Sequence, residues 1–393
     1  MAARTPTVSD RHLVLVGAGH AHVEVLRRFG MNPLPGLRLT LLTRSRHTPY
    51  SGMLPGYVAG HYRFDETHID TEPLARFAGA ELVLDEAVGL DLTARRVLRP
   101  DGDPIPFDVL SLDIGSTPNT PAVPGASEHA LPVKPIDGFL RRFMSLRERV
   151  LECGGDTAIT VVGGGAGGVE LLLSLERRLR SDLAARGHDP VRLGFTLVTR
   201  SGTLLPELPK RVQARFAGLM AARGIRVVTD ASVERVTERG VETEGGSTLP
   251  GREVLWTTEA MAAPWLRGTG LALDGRGFVQ VASTLESVSH PRVFAAGDVS
   301  SFAPRPLPKA GVFAVRQGPV LASNLRRAAL GQALKAYRPQ RHWLVLISTG
   351  EHYAIGARSG VGFEGGWVWT LKDWIDRRFM SRYRDLPAPH SAA

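Results

Sequence analysis

Two glycine-rich turns, each between an apolar run and an amphipathic helix pattern, are the segments best suited to bind a cofactor or substrate. The first is Gly17-x-Gly19 in LVLVGAGHAHVEVL, and the second is Gly163-x-Gly165-x-x-Gly168 in ITVVGGGAGGVELL. In such turns the first glycine permits a tight bend, the second lets backbone approach a pyrophosphate, and the third allows close packing of helix on strand. The following helix N-terminus supplies N–H groups to the phosphates. The sequence therefore predicts two dinucleotide sites.

The first turn is a variant, because His22 stands where the third glycine is expected. Both glycines that allow approach to phosphate are present, and the third mainly governs how closely the helix meets the strand. We therefore expect a slightly shifted helix rather than a non-functional site. The charged forms of His20 and His22 are disfavoured near a helix N-terminus. A structural role is therefore the first expectation for both residues.

The elements around the two turns have the same order. Each turn follows an apolar strand and precedes a helix, and a second apolar strand comes next, LRLTLLTR in the first unit and LGFTLVTR in the second. Such βαβ units form parallel sheets covered by helices. The predicted fold class is α/β, with two Rossmann-like dinucleotide-binding domains and a C-terminal segment.

The end of the second strand in each unit lacks the acidic residue that would hold a ribose. The residues there are Thr43-Arg44 and Thr199-Arg200. Arg200 is suited to a 2′-phosphate, which favours NADPH. Alternatively, Arg200 is simply exposed in an arginine-rich protein. NADH and NADPH therefore both stay open as co-substrates.

The composition excludes several classes of function. Cys153 is the single cysteine of the 393 residues, so neither an intrachain disulfide nor a redox-active cysteine pair can form. The 12 histidines show no metal-ligand spacing, and no metal is expected. The net charge of +9 reflects arginine usage without a basic run of nucleic-acid type, so no nucleic-acid partner is expected. No signal peptide or membrane span is recognisable, which favours the cytoplasm.

A third motif, FAAGDVSS, ends an apolar strand with a single carboxylate, Asp298, which is able to accept hydrogen bonds from sugar-like hydroxyls. With this motif the chain resembles the two-dinucleotide-fold flavoproteins, which include glutathione-reductase-like enzymes, ferredoxin reductases and type II NADH dehydrogenases. LSLDIGSTPNTPAVPG resembles their crossover segment, with Asp113 and Ile114 in place of the usual Ala-Thr pair. The resemblance covers roughly residues 10–330. It implies FAD at the first turn and NADH or NADPH at the second.

The segment RHTPYSGMLPGYVAG occupies the place where disulfide reductases carry two cysteines, and it has none. The chain therefore looks like a relative of type II NADH dehydrogenases. GHAHVEVL, PLPKAGVFAVRQGP and WVWTLKDWIDRRFM resemble the oxidoreductases found beside or fused to selenide-water dikinase. The resemblance implies an FAD-binding domain over 1–145 and 275–330, an NAD(P)H-binding domain over 146–274, and a C-terminal segment over 331–393.

The resemblance also implies cofactor contacts. The expected FAD contacts are Gly17, Ala18, Gly19, His20, Ala21, Thr43, Arg44, Tyr50, Val88, Gly115, Gly297, Asp298, Lys309 and Ala310. The expected NAD(P)H contacts are Gly163, Gly165, Gly168 and Arg200.

Three residues are candidates for a part in catalysis, each with an alternative. Glu170 falls where relatives place a carboxylate near the nicotinamide and flavin, or it is an acid stabilised by a helix N-terminus. Lys309 would stabilise an anionic reduced flavin, or it is an exposed loop lysine. Gln317 matches a glutamine that type II NADH dehydrogenases place beside the quinone, or it serves as a helix cap or core residue.

These residues lead to three functional hypotheses. The first is an FAD-dependent NAD(P)H oxidoreductase that reduces a quinone or other small acceptor. The second is a selenium- or sulfur-compound reductase that acts with selenide-water dikinase. The third is a non-catalytic FAD redox sensor, because Glu259 stands where relatives carry a glycine near the nicotinamide.

The C-terminal helix pattern carries an aromatic stripe flanked by basic residues. The stripe consists of Trp367, Leu371, Trp374, Ile375, Phe379 and Tyr383. Such a helix is suited to an anionic membrane surface, here through residues 367–384, on the inner face of the cell membrane. The alternative is packing against the protein's own sheet or against a homodimer partner.

Overall fold

The computed structural model describes residues 11–118, 122–258 and 260–387. The helices are α1 (His20–Met31), α2 (Leu54–Ala59), α3 (Phe64–Thr67), α4 (Thr71–Ala78), α5 (Ala126–His129), α6 (Ile136–Glu152), α7 (Ala166–Ala185), α8 (Lys210–Ala222), α9 (Gly311–Ala329) and α10 (Gly366–Arg384). The strands are β1 (Arg11–Val16), β2 (Leu37–Thr43), β3 (His47–Pro49), β4 (His68–Asp70), β5 (Ala80–Leu84), β6 (Gly89–Asp91), β7 (Arg96–Leu98), β8 (Ile105–Pro106), β9 (Val109–Leu112), β10 (Thr117–Pro118), β11 (Ala130–Pro132), β12 (Ala158–Val162), β13 (Gly194–Val198), β14 (Ile225–Val228), β15 (Val233–Thr237), β16 (Gly240–Thr243), β17 (Thr248–Pro250), β18 (Glu253–Trp256), β19 (Ala260–Met261), β20 (Val279–Val281), β21 (Val293–Ala295), β22 (Ser300–Phe302), β23 (Val345–Ser348), β24 (Ala354–Arg358) and β25 (Val361–Gly365).

The first of two five-stranded sheets has the order β21-β9-β1-β2-β5. All its pairings are parallel, and Leu13 on β1 lies opposite Leu39 on β2. Helix α1 crosses from β1 to β2 and packs against α4 and α9. The strands are continuous apolar runs because helices shield the sheet from water. The predicted parallel α/β arrangement is confirmed here.

The second five-stranded sheet has the order β11-β18-β12-β13-β14 and is also parallel. Helix α7 joins β12 to β13, so the second glycine turn lies at the carboxyl edge of this sheet. An antiparallel sheet, β15-β16-β17, is inserted between β14 and β18.

The packing of the two cores supports domain boundaries earlier than those predicted from the sequence. Strand β11 pairs with β18, and Phe139 on α6 lies in the core of the second sheet, so a boundary at residue 145 would cut α6. Leu266 and Leu271 lie in the core of the first sheet, ahead of residue 275. We therefore propose that the chain enters the second domain between β10 and β11 and has returned to the first by Leu266.

The C-terminal segment packs on both cores. Strands β23, β24 and β25 form an antiparallel sheet whose Ile347 and Ile355 join the second core. Helix α10 follows and adds Phe379 and Tyr383 to the first core. Among the helices of the described residues, none has the length and apolarity needed to cross a membrane.

Candidate active site

The first glycine turn bends sharply between β1 and α1. Gly17 has φ +87°, and its N–H donates to the carbonyl of Leu42 at 2.8 Å. A Cβ at residue 17 would lie 2.5 Å from the carbonyl oxygen of Asp113. Both the positive φ and the close approach require glycine at this position.

The carboxylate of Asp113 lies at the N-terminus of α1. Its Oδ2 accepts the N–H of Ala21 at 2.8 Å and the N–H of His22 at 3.0 Å. A Cβ at residue 19 would collide with the same carboxylate. The sequence assigned the space at Gly19 and the N–H of Ala21 to a pyrophosphate, whereas the structure places a protein carboxylate there.

His22 fills the space that the missing third glycine would have left. The residue is fully buried, its Nδ1 lies 2.6 Å from the carbonyl oxygen of Gly17, and its Nε2 lies 2.8 Å from Ser111 Oγ. Burial lowers the pKa of His22 to about 4, so the ring is neutral at pH 7. The side chain therefore joins the turn to β9, which is the structural role expected from the sequence.

The second turn has all three glycines and remains open. Gly163 has φ +129°, and its N–H donates to Val198 O at 2.8 Å. A Cβ at Gly168 would collide with Gly163 O, which is the close helix-to-strand contact that the third glycine permits. At Gly165, by contrast, no atom would lie within 4 Å of a Cβ. The N-terminus of α7 is thus accessible to a phosphate.

Asp298 lies between the first turn and the crossover segment. Its Oδ2 accepts hydrogen bonds from Lys134 Nζ at 2.6 Å and Ser116 Oγ at 3.1 Å. Burial alone would raise the pKa of Asp298, but Lys134 keeps it below the usual value, so the group is a carboxylate at neutral pH. Gly297, with φ +67°, donates its N–H to Gln317 Oε1 at 2.7 Å.

Lys309 lies in a cavity that Asp298 and Ala310 also line. Its ammonium donates to Ser300 O at 2.6 Å and lies 3.7 Å from the ring centre of Phe278. Burial lowers the pKa of Lys309 to about 8. The side chain is therefore a half-buried cation beside the predicted flavin site, and the alternative of an exposed loop lysine is not what the structure shows.

Aromatic rings cover the first turn on the side of α10. Tyr50 stacks on Phe379 with ring centres 4.3 Å apart, and His20 meets Tyr50 edge-on at 5.3 Å. Burial lowers the pKa of His20 to about 4, and the nearby carboxylate of Asp298 only partly opposes this. The rings form an uncharged aromatic cluster near Asp298.

A chain of buried polar groups leads from Tyr50 to the second domain. The Tyr50 hydroxyl hydrogen-bonds Asp376. Asp376 Oδ2 lies 2.8 Å from Lys372 Nζ, which also donates to Gly52 O at 2.7 Å. The same ammonium lies 3.9 Å from Glu170 Oε1 on α7. These contacts connect the loop before α2 with α10 and α7.

Glu170 is the last residue in this series of polar contacts, and it is buried. Its Oε1 accepts the N–H of Ser348 at 2.8 Å, so it faces β23. Burial raises the pKa of Glu170, and Lys372 only partly reverses the shift. Burial likewise raises the pKa of Asp376. Burial alone would lower the pKa of Lys372, but the two carboxylates raise it above its usual value.

The family can be assigned from the sequence match. The profile described as "Pyridine nucleotide-disulphide oxidoreductase" matches residues 11–318. The chain belongs to this family. It is 23% identical over 335 residues to the NADH dehydrogenase-like protein YutJ of Bacillus subtilis, covering 84% of this chain and 87% of that protein. It is 24% identical over 378 residues to a type II NADH:quinone oxidoreductase of Staphylococcus epidermidis, covering 91% and 90%.

Solved structures confirm the fold of this oxidoreductase. The sulfide:quinone oxidoreductase of Aquifex aeolicus superposes with a TM-score of 0.78 at 18% identity, covering 96% of this chain and 93% of that one. NDH2 of Plasmodium falciparum in complex with NADH superposes with a TM-score of 0.77 at 12% identity, covering 96% and 99%. The fold that the sequence resemblance implied is thereby confirmed.

The other predicted contacts of the oxidoreductase lie around the two sheets. Thr43 and Arg44 follow β2, Arg200 is exposed after β13, and Gly115 has φ +74° in the crossover segment. Ala18 is buried in the first turn, and Val88 is 42% exposed before β6. Glu259, on which the sensor hypothesis rests, lies outside the described residues.

Gln317 is one residue whose observed contacts differ from its predicted role. It is 2% exposed, and its amide oxygen holds the N–H of Gly297. The side chain therefore fixes the turn before Asp298 instead of reaching into open space. The core role, which the sequence left as an alternative, is the one that its contacts support.

Sequence reasoning did not assign a role to four residues of the site. Asp113 was noted only as a departure from the crossover motif, and Lys134 was not considered. Lys372 was taken as a basic residue flanking the aromatic stripe, and Asp376 was not singled out. A polar residue at helical spacing beside buried aromatics was the available signal for the last two.

The aromatic stripe of α10 does not form one face. Phe379 and Tyr383 are buried in the first core, whereas Trp367 and Trp374 are 60% and 55% exposed. Both halves of the helix are packed, since Val368 is also buried, and Trp367 and Trp374 are the exposed members of the stripe. The residues of the stripe therefore do not share one environment.

Proposed function

We propose that the protein is an FAD-dependent NAD(P)H dehydrogenase that passes electrons to a quinone or another small acceptor. The observation that carries the proposal is the position of the two glycine turns. Each lies at the carboxyl edge of its own parallel sheet, and Asp298 lies beside the first. Dinucleotides bind parallel α/β sheets at this edge. The relatives named as NADH dehydrogenase-like and as NADH:quinone oxidoreductase support the proposal.

The residues around the first turn fit FAD. The bend at Gly17 has room for glycine only, and two N–H groups of the α1 N-terminus are bonded to Asp113, so the phosphates would lie beside that carboxylate. Asp298, held by Lys134, would accept hydroxyl groups of the cofactor. Tyr50 would place an aromatic ring beside the turn. When bound, FAD would supply two-electron chemistry between nicotinamide and acceptor that no side chain here provides.

The open second turn receives the nicotinamide nucleotide. Its phosphates meet the N–H groups between Gly163 and Gly168, which the structure leaves accessible at Gly165. Arg200 follows β13 at the place of the adenosine ribose, so it favours NADPH over NADH. Lys309 is a cation on the flavin side and favours acceptance of hydride by stabilising negative charge.

Glu170, Lys372, Asp376 and Tyr50 supply protons to the acceptor. Reduction of a quinone by NAD(P)H takes up one proton in addition to the hydride that NAD(P)H supplies, and these buried groups would deliver that proton. Burial raises the pKa of Glu170, so its carboxyl group holds a proton closer to neutral pH than an ordinary glutamate does. Lys372 Nζ lies between the carboxylates of Glu170 and Asp376 and orients both.

The single cysteine gives no support to the sulfur or selenium hypothesis. Cys153 is exposed in the loop after α6, and its Sγ donates to Val150 O. A sulfur or selenium acceptor would therefore have to react at the flavin without a protein thiol. Within the described residues, no His, Cys, Asp or Glu cluster suits a metal ion either.

Anaerobic titration of the purified, FAD-loaded protein with NADH and with NADPH tests the proposal. We expect the flavin absorbance to bleach with at least one nucleotide. Subsequent addition of a short-chain quinone restores the absorbance, whereas selenium or sulfur compounds do not. Absence of bleaching with both nucleotides contradicts the proposed activity and favours the sensor hypothesis.

A further inference from the structure

The carboxylate of Asp113 lies at the N-terminus of α1, beside the backbone at which a dinucleotide fold binds an anionic phosphate. Two glycines make room for it, since a Cβ at Gly19 or Gly297 would lie 2.3 Å or 2.5 Å from Asp113 Oδ1. The residue is 3% exposed. One oxygen, Oδ2, accepts the N–H groups of Ala21 and His22.

The second glycine turn of the same chain shows the ordinary arrangement. Gly165, Ala166 and Gly167 are exposed at the start of α7, and no side chain lies where a Cβ of Gly165 would be. A phosphate therefore has free access to α7. At α1 it meets a carboxylate already bonded to two of the helix N-terminal N–H groups. The main difference between the two turns is therefore the carboxylate of Asp113 at the N-terminus of α1.

The surroundings of Asp113 provide no compensating cation. Asp298, the nearest charged group, is of like sign, and the ammonium of Lys134 is bound to Asp298. Lys309 is bound to Ser300 O. His20 and His22 on α1 are neutral at pH 7. No lysine or arginine in the described residues forms an ion pair with Asp113.

We propose that Asp113 takes up one proton when the pyrophosphate of a flavin dinucleotide binds at the first turn. The inference rests on the proposed FAD site. Before binding, the carboxylate of Asp113 is ionised. The protein then binds FAD together with one proton, and in the complex the carboxyl group of Asp113 is neutral. Oδ2 continues to accept the N–H groups of Ala21 and His22. The proton resides on Oδ1, which faces Gly19 and Gly297 and accepts no hydrogen bond from the described protein.

The electrostatic cost explains why a proton is needed. A pyrophosphate carries two negative charges, and an ionised Asp113 would add a third next to Asp298 in a buried setting where like charges repel strongly. Burial already raises the pKa of Asp113 to about 7, against the effect of its two N–H donors. Ionised Asp113 therefore predominates above pH 7 in the absence of the nucleotide, and binding must reverse that ionisation.

Dilution of the FAD-loaded protein at pH 6 to pH 9 tests the inference, with released flavin measured by its fluorescence. A binding step that takes up one proton weakens about tenfold for each pH unit above the pKa of the group. We expect this slope for the wild type and a nearly flat profile for Asp113→Asn. The asparagine variant should also retain FAD more tightly than the wild type at pH 9.

Two controls separate Asp113 from other groups. Lys309→Arg keeps a cation that does not titrate in this range, so the wild-type slope should persist in it. Asp108→Asn removes a carboxylate that also accepts a backbone N–H, from His12, at the opposite end of β1, and should leave the slope unchanged. A slope that persists in Asp113→Asn overturns the inference, and its disappearance in Lys309→Arg would assign the proton to Lys309.

Each remaining outcome is also decisive. If Asp113→Asn does not fold, the Lys309→Arg profile decides alone, since loss of the slope there assigns the proton to Lys309. A pH-independent FAD affinity in the wild type overturns this inference and leaves the proposed function intact. Failure of the wild type to retain FAD at any pH overturns both.

Discussion

The ammonium of Lys372 lies 3.9 Å from the carboxylate of Glu170, although the two residues belong to the last helix and to the helix after the second glycine turn. Lys372 also pairs with Asp376 at 2.8 Å, within α10. The C-terminal helix is thus part of the interior of the site. Both domains depend on this helix for their relative position, because Lys372 also binds Gly52 O near the first turn.

Removal of the Lys372 ammonium should therefore destabilise the whole protein. Lys372→Met leaves two buried carboxylates without their cation, and breaking such a pair typically costs about 3–5 kcal/mol. We expect a loss of this order in the free energy of unfolding, measured with urea at pH 7. Lys210→Met, at an exposed lysine on α8, is the matched control and should have little effect.

The double variant Lys372→Met with Glu170→Gln should lose less stability than the sum of the two single variants. The second change removes the charge that the first leaves unpaired, so the two effects are coupled. Additive losses would show that the 3.9 Å contact carries no energy.

The buried histidine of the first turn should make the protein sensitive to acid. The pKa of His22 is about 4 in the folded protein against 6.5 for a free histidine. Between these values the unfolded chain takes up a proton that the folded protein does not, so the contribution is present above pH 6.5 and is lost as the pH falls towards 4. The shift corresponds to about 3 kcal/mol.

His22→Gln should remove this part of the pH dependence, because an amide can bond Gly17 O and Ser111 without titrating. Urea unfolding at a series of pH values measures it, with the exposed His188→Gln as control. A fall in stability between pH 6.5 and 4 as steep in His22→Gln as in the wild type would assign the acid sensitivity to other groups.

The sequence predicted the fold well because its signals are local. Gly17 and Gly163 each follow an apolar strand and precede a helix, and this pattern alone requires a parallel βαβ unit. The family motifs also identified Asp298 as a residue of the candidate site. The polar interior was not accessible in this way, since the contacts of Lys372 and Asp113 join segments far apart in the chain. Only packing determines whether a lysine on an amphipathic helix faces water or a buried glutamate.

Lys309 should control the pH dependence of flavin reduction. Burial lowers its pKa to about 8, so the lysine loses its charge as the pH rises through 8. If its cation stabilises negative charge on the flavin, the rate of reduction by NAD(P)H falls above that pH. Lys309→Arg should keep a high rate to higher pH, and Lys309→Met should be slower by on the order of tenfold at pH 7, equivalent to about 1.4 kcal/mol. Stopped-flow absorbance measures these rates, and an unchanged rate in Lys309→Met would exclude the role.

Two exposed tryptophans on α10 should mediate contact with anionic membranes. Trp367 and Trp374 are 60% and 55% exposed, and the guanidinium of Arg378 lies 5.3 Å from the ring of Trp374. Aromatic and basic side chains together suit a negatively charged lipid surface. Deletion of the helix is not a clean test, because it would also remove Lys372 and Phe379 from the interior.

The double variant Trp367→Ser and Trp374→Ser should therefore float with vesicles of mixed neutral and anionic phospholipid several-fold less than the wild type, while its reduction of a water-soluble acceptor stays unchanged. Val191→Ser is the matched control, since Val191 is 76% exposed on the second domain. Removal of the exposed indole rings lowers membrane affinity because their apolar area is no longer transferred from water to lipid. Equal flotation of the wild type and the double variant would show that these residues do not contact the membrane, and a dimeric wild type that becomes monomeric in the double variant on sedimentation would identify them as a dimer interface instead.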